Sequence, residues 1–135
     1  MNLKSIFMKN GKIQTFTDLK VWQEGHILVV MVYKITKTFP KEETYSLVDQ
    51  MRRAASSVTA NIAEGFGRHS YKEKLQFYYL SQGSLTELKN FILIAKDVGY
   101  LDVKDFNSLA DQANLAHQIL QGFIRSTKTF VNHKS

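Results

Sequence analysis

The chain has no cysteine and only one proline among its 135 residues. Without cysteine there is no disulfide framework, no thiolate metal site and no cysteine nucleophile, so stability has to come from a packed core. Long hydrophobic runs are missing as well. The longest, Ile27 to Tyr33, is seven residues, whereas a helix crossing a bilayer needs about 20. Ile6-Phe7-Met8 is likewise shorter than the roughly 7–15-residue apolar region of a secretion signal. These absences predict one cytoplasmic domain with no membrane span, large enough to bury about two-thirds of its unfolded surface.

Acidic residues are absent from both ends. Residues 1–17 carry Lys4, Lys9 and Lys12, and residues 112–135 carry Arg125, Lys128 and Lys134, with no Asp or Glu in either stretch. Residues 18–111 hold twelve basic and twelve acidic side chains, so the whole formal charge of +6 resides at the ends. Such a distribution is compatible with a polyanionic partner but does not by itself establish one.

What is present is helical periodicity. Pro40, Gly65 with Gly67, and Gly99 divide the chain into four segments with apolar residues at intervals of three and four. The expected helices are 18–38, 44–64, 71–98 and 102–128, within a 18–130 domain flanked by a flexible basic arm, 1–17, and a tail, 131–135. In the first segment Leu19, Trp22, His26, Val29, Val30 and Tyr33 form one stripe. Val21, Leu28, Val32, Ile35 and Phe39 form a second. Two stripes exceed what one core requires, so Val21, Leu28, Val32 and Ile35 are candidates for an oligomer interface; a single broad apolar face is the alternative.

The second segment is crowded with small residues, Ala54, Ala55, Ser56, Ser57, Ala60 and Ala63, which predicts the tightest helix crossing, with Gly65 as a left-handed terminator. The third opens on Ser70-Tyr71-Lys72-Glu73, a capping-box pattern, and contains Gly83-Ser84, where close packing is expected. The fourth opens on Asp102 and carries a seam from Phe106 through Leu120 to Phe130. Four helices with short connections and no strand candidate predict an all-α, antiparallel up-and-down four-helix bundle.

Signatures of chemistry are largely missing. No Glu has a His three residues on, as a di-iron bundle needs, and there is no His-Glu-x-x-His motif or Gly-x-Ser-x-Gly elbow. Neither a metal, a cofactor, a catalytic residue nor a small-molecule substrate is expected. Gly65-Phe66-Gly67-Arg68 lacks the third glycine and the preceding strand of a nucleotide loop, and reads as one helix running into the next cap. Around that turn Arg68, Lys72 and Lys74 lie near a helix start, with Arg52 and Arg53 about three turns back. Together with Arg125 and Lys128 these are the nucleic-acid-binding candidates. Glu64 and Glu87 are expected to pair with Arg52, Arg53 or Arg68 rather than to act as acid or base.

Several ordered stretches carry a resemblance: Asp18-Leu19-Lys20-Val21-Trp22, Phe39-Pro40-Lys41-Glu42-Glu43, Gln50 to Val58, Asn61 to Arg68, Gly83 to Leu88, and Ala95 to Leu101. With these the chain resembles, over residues 16–130, the bacterial proteins encoded in intervening sequences of 23S ribosomal RNA. The accessory protein of diversity-generating retroelements is a relative of that family. The resemblance implies an antiparallel four-helix bundle assembling as a homopentameric ring, with no enzymatic activity. It further implies a scaffold that engages RNA or a ribonucleoprotein; the alternative is a protein–protein interaction module with no nucleic-acid role.

Overall fold

A computed structural model describes residues 11–134, with side chains through 132. Four helices follow one another: α1 (Lys20–Thr36), α2 (Leu47–Phe66), α3 (Tyr71–Asp97) and α4 (Val103–Lys134), with short 3-10 turns at Phe16–Asp18 and Lys41–Glu43. No strand occurs among the described residues. α4 runs past the expected boundary, so residues 131–134 continue the helix rather than forming a tail.

The arm expected over 1–17 is fixed by its last turns, while residues 1–10 lie outside the described part. Asp18 is only 3% exposed, and its Oδ2 accepts from the backbone N–H groups of Gln14 (2.8 Å) and Thr15 (3.0 Å). This capped turn, and not a flexible link, leads the chain into α1.

Helix boundaries follow local chemistry. Ser70 Oγ accepts from the Glu73 backbone N–H at 3.1 Å, while the Glu73 carboxylate takes the Ser70 hydroxyl instead of the Ser70 N–H, leaving the box half-formed. Asp102 Oδ1 accepts from the Asp105 N–H at 2.7 Å, as its N-cap role predicts. Gly99 has φ +87°, and the Tyr100 N–H reaches back to Ala95 O at 2.9 Å, closing α3.

Gly65 plays a different part from the one expected. It lies inside α2, which continues to Phe66, and does not have a positive φ. A Cβ built on it would stand 2.6 Å from Tyr78 Cε1 and 3.0 Å from Phe77 Cβ, so glycine here lets α3 approach. Gly83 also departs from expectation: a Cβ there would meet nothing within 4 Å. The tight packing falls to its neighbour, where Ser84 Oγ lies 2.8 Å from Ser57 Oγ.

Each helix packs on the next in sequence and α1 closes back on α4, with α2 against α3 the most extensive pairing. Small residues make that pairing close, as read from the sequence: Ala54, Ala55 and Val58 are buried, and Ser81, fully buried on α3, donates to Val58 O at 2.7 Å. One core cluster runs through all four helices, from Leu28 and Met51 to Leu88 and Leu120. Phe39, buried against Tyr100, closes one end; the Tyr100 hydroxyl donates to Glu43 Oε2 at 2.8 Å, and that bond raises its pKa.

Both stripes of α1 reach the core, as the single broad apolar face predicts: Trp22 is 8% exposed, and Leu19 and Val29 pack against the core cluster. Val21, Leu28 and Val32 are 3%, 0% and 0% exposed within the single chain, and Ile35 is half-buried. They face the core because α2 and α4 both pack on that side, so they have little surface left for another subunit. The outward face instead presents Ile27, Val30 and Tyr33, at 45%, 37% and 41% exposure. His26 lies between, stacked on Trp22 with ring centroids 4.6 Å apart.

Candidate nucleic-acid interface

Four of the seven basic candidates are occupied within the protein. Arg52 donates through Nε to Thr36 Oγ1 (3.0 Å) and through Nη2 to Tyr33 O (3.3 Å), and its guanidinium lies over the Tyr33 ring. It therefore ties the end of α1 to α2. Arg53 pairs with Asp49 at 2.9 Å and Arg68 with Glu64 at 2.7 Å, each one helical turn away. The Arg68–Glu64 pair fulfils one expectation for Glu64, within one helix end rather than across helices. Lys74 Nζ donates to Phe66 O at 2.6 Å and approaches Gly65 O, capping the free carbonyls at the end of α2, and burial lowers its pKa.

The α2–α3 turn consequently makes a poor anion site. Its open depression of about 290 Å³ is lined by Arg68 and His69 but also by Glu64 and Glu73, whose carboxylates offset the cations. The expected cluster of Arg68, Lys72 and Lys74 is not assembled as a phosphate-binding group.

Lys128 leads elsewhere, to the seam between α3 and α4, whereas no contact across that seam involves Lys72 or Arg125 among the described residues. Three lysines bridge that seam along its length. Lys128 Nζ lies over the Tyr79 ring, 5.6 Å from its centroid. Lys89 Nζ stands 2.6 Å from His117 Nδ1, and Lys96 Nζ lies 4.5 Å from the Phe106 centroid. Lys72 occupies the same face of α3 as Tyr79, two turns earlier, and Arg125 is one turn from Lys128. From Tyr79 to Lys96 the row spans about 25 Å at a rise of about 1.5 Å per residue.

These cations lack carboxylate partners. The ion pairs among the described residues are Arg53–Asp49 and Arg68–Glu64, so Lys72, Lys89, Lys96, Arg125 and Lys128 are unpaired with acids. Aromatic rings alternate with them: beyond Tyr79, Tyr71 of α3 stacks on Phe130 of α4 with centroids 4.8 Å apart, and both remain exposed. Unpaired cations interleaved with rings suit a single strand, whose phosphates seek charge and whose bases seek flat apolar faces.

Lys89 and His117 are the members of this row whose pKa values shift. Burial lowers the pKa of both, and the Lys89 charge lowers His117 further. The short contact places one proton between two bases, the ammonium donating to a neutral imidazole Nδ1. Above about pH 6.5 His117 is uncharged in both folded and unfolded chains. As pH falls below that, the unfolded chain takes up its proton first, so stability drops through the folded-state pKa. Lys89→Gln is expected to move the His117 titration to higher pH in an NMR experiment; an unchanged titration would show that the lysine charge does not reach the ring.

Lys89, Lys96, Tyr79, Phe106 and His117 were not among the sequence candidates. Their signal was spacing by face: Lys89 and Lys96, seven apart, share one face of α3, about 100° around the helix from the face of Lys72 and Tyr79. Counting charge by segment conceals it, since the acids of the same stretch cancel the sum.

No set of three His, Asp or Glu side chains among the described residues is placed to hold a metal ion, and no helix there is long and apolar enough to cross a membrane. No curated protein matches the chain. A solved structure from Bacteroides thetaiotaomicron, titled as a protein of unknown function from the S23 ribosomal protein family, superposes with a TM-score of 0.72 at 16% identity. The match covers 78% of this chain and 95% of that one, and establishes a shared all-α, four-helix fold. The sequence pattern described as 23S rRNA-intervening sequence protein matches residues 17–122. The chain belongs to the family of 23S rRNA-intervening sequence proteins.

Proposed function

We propose that this protein is a non-catalytic oligomeric scaffold that binds single-stranded RNA, free or within a ribonucleoprotein, along the α3–α4 seam. The observation that carries the reading is the row of Lys128–Tyr79, Lys89–His117 and Lys96–Phe106, bridging two helices with no carboxylate partner for any of its lysines. An up-and-down antiparallel bundle is part of the proposal. It is supported by cross-helix pairs whose numbers rise on α3 as they fall on α4: Tyr71 with Phe130, Tyr78 with Phe123, Lys96 with Phe106.

Binding to a labelled single-stranded RNA at two salt concentrations tests the reading. Each phosphate contact contributes about −0.7 to the slope of log K against log salt, so three to five contacts correspond to a slope of about −2 to −3.5. Absence of binding at low salt contradicts it.

The outer face of α1 supports the oligomeric half of the proposal, because Ile27, Val30 and Tyr33 form an exposed apolar patch on a single helix. The same patch equally favours the second reading, a protein-interaction module. A homopentameric ring, whose number rests on the family resemblance, predicts a sedimenting mass five times that of the chain. Val30→Glu is expected to reduce that mass to the monomer's. A wild-type monomer contradicts the scaffold and leaves the patch to a different protein.

A further inference from the structure

Toward the end of the seam formed by the last turns of α3 and the first turns of α4, the two helices part to form a pocket of about 220 Å³. Leu93, Phe106, Ala110 and Ala113 wall it, and Lys89 and Asn114 are its polar lining residues. Its floor belongs to the core, since Ala113 is 1% exposed, whereas Leu93 remains 50% exposed at its mouth. The pocket is therefore shallow, one side-chain layer deep.

Two cations attend it. Lys89 lines it directly, and Lys96 lies against Phe106, one of its walls; neither has a carboxylate partner among the described residues. The Asn114 carboxamide makes no hydrogen bond within the described protein, so both its donor and its acceptor are free. A ligand complementary to this set has a compact apolar body with a hydrogen-bonding edge, and negative charge on either side. A nucleotide within a strand has that form: its base offers faces and a polar edge, and phosphates flank it. An extended acyl chain would need greater depth.

We propose that this pocket seats one unstacked base of a bound RNA strand, with Lys89 and Lys96 meeting the flanking phosphates and Asn114 meeting the base edge. The inference rests on the RNA reading above and goes beyond it by assigning a base contact. Lys89 then has two partners in turn, His117 in the free protein and a phosphate in the complex. A phosphate beside the pair favours a proton on His117 as well, since it supplies the negative charge the pair lacks.

Two single-stranded RNAs of equal length and charge, one of mixed sequence and one abasic, test the proposal by fluorescence anisotropy with the full chain. Wild-type protein is expected to bind the mixed sequence more than about tenfold more tightly, because the abasic strand loses both the pocketed base and the stacking on exposed rings such as Tyr79. Ala110→Leu fills the pocket without altering charge, and is expected to cut that preference about tenfold, the contribution of about one stacked base, while leaving abasic binding unchanged. A melting curve verifies that the variant is folded. A 2-aminopurine placed in the RNA supplies a readout on the wild-type protein alone, because its emission changes on leaving the stack. A preference undiminished in folded Ala110→Leu, or unchanged emission, overturns the pocket and leaves the seam standing; equal affinity for the two RNAs overturns the pocket and the ring stacking together and leaves only the lysines. Failure to bind either RNA overturns the pocket and the seam.

Discussion

Replacing Lys89, Lys96 and Lys128 together by glutamine is expected to weaken RNA binding about 10- to 100-fold at low salt and to flatten the salt slope by about 2. The argument is one of availability. A lysine already paired with a carboxylate releases little when it meets a phosphate, since one ion pair replaces another. These three have only rings and an imidazole as partners, so a phosphate adds charge neutralisation that the free protein lacks. Arg53→Gln and Arg68→Gln supply the contrast. Both guanidiniums are engaged by Asp49 and Glu64, and removing either is expected to change affinity less than twofold. Equal losses from the two sets would show that overall charge governs binding, and that the seam has no special role.

The second large effect concerns the α2–α3 crossing and gives the same substitution opposite signs at two glycines. Gly65→Ala is expected to destabilise the protein by about 1–3 kcal/mol, because its methyl would press into the ring of Tyr78. That ring is 2% exposed and packs against Phe123 with centroids 4.6 Å apart, so it has nowhere to go. Alanine's helix preference, worth up to about 1 kcal/mol over glycine, offsets only part of the loss. At Gly83 the same methyl meets nothing within 4 Å, so Gly83→Ala is expected to stabilise by about 0.5–1 kcal/mol. Chemical denaturation of both variants checks the pair. Stabilisation by both would mean that Gly65 does not hold the crossing open.

These two glycines illustrate what a sequence discloses about such a fold. Features decided within one turn were legible: Ser70 and Asp102 cap helices and Gly99 takes the left-handed conformation, because their hydrogen bonds span only a few residues. The small-residue character of α2 also pointed correctly to the closest crossing. Gly65 and Gly83 could not be told apart, since the difference is the position of Tyr78 on another helix. The facing of α1 failed for the same reason. Its stripes are similar in composition, and only the placement of α2 and α4 decides that Leu28 and Val32 are fully buried while Val30 and Tyr33 of the other stripe face outward.

The candidate site was legible in part. Lys128 was identified from charge alone, and it reaches across the seam to Tyr79. Arg52, Arg53, Arg68 and Lys74 were identified by the same criterion, and each already has a carbonyl or carboxylate partner within the protein. Lys89 and Lys96 went unnoticed because their significance depends on His117 and Phe106, 28 and 10 residues away in the sequence. Cationic residues become a site only where the fold leaves them without partners, and pairing across helices is not a local property.

Photo-crosslinking of the wild-type protein to a single-stranded RNA containing 4-thiouridine, with the linked peptides identified by mass spectrometry, tests the central claim most directly. The account predicts crosslinks at Tyr79, Phe106 and the residues around Lys89, Lys96 and Lys128, on the facing sides of α3 and α4. Crosslinks confined to the α2–α3 turn or to the outer face of α1, with the seam unlabelled, would contradict it.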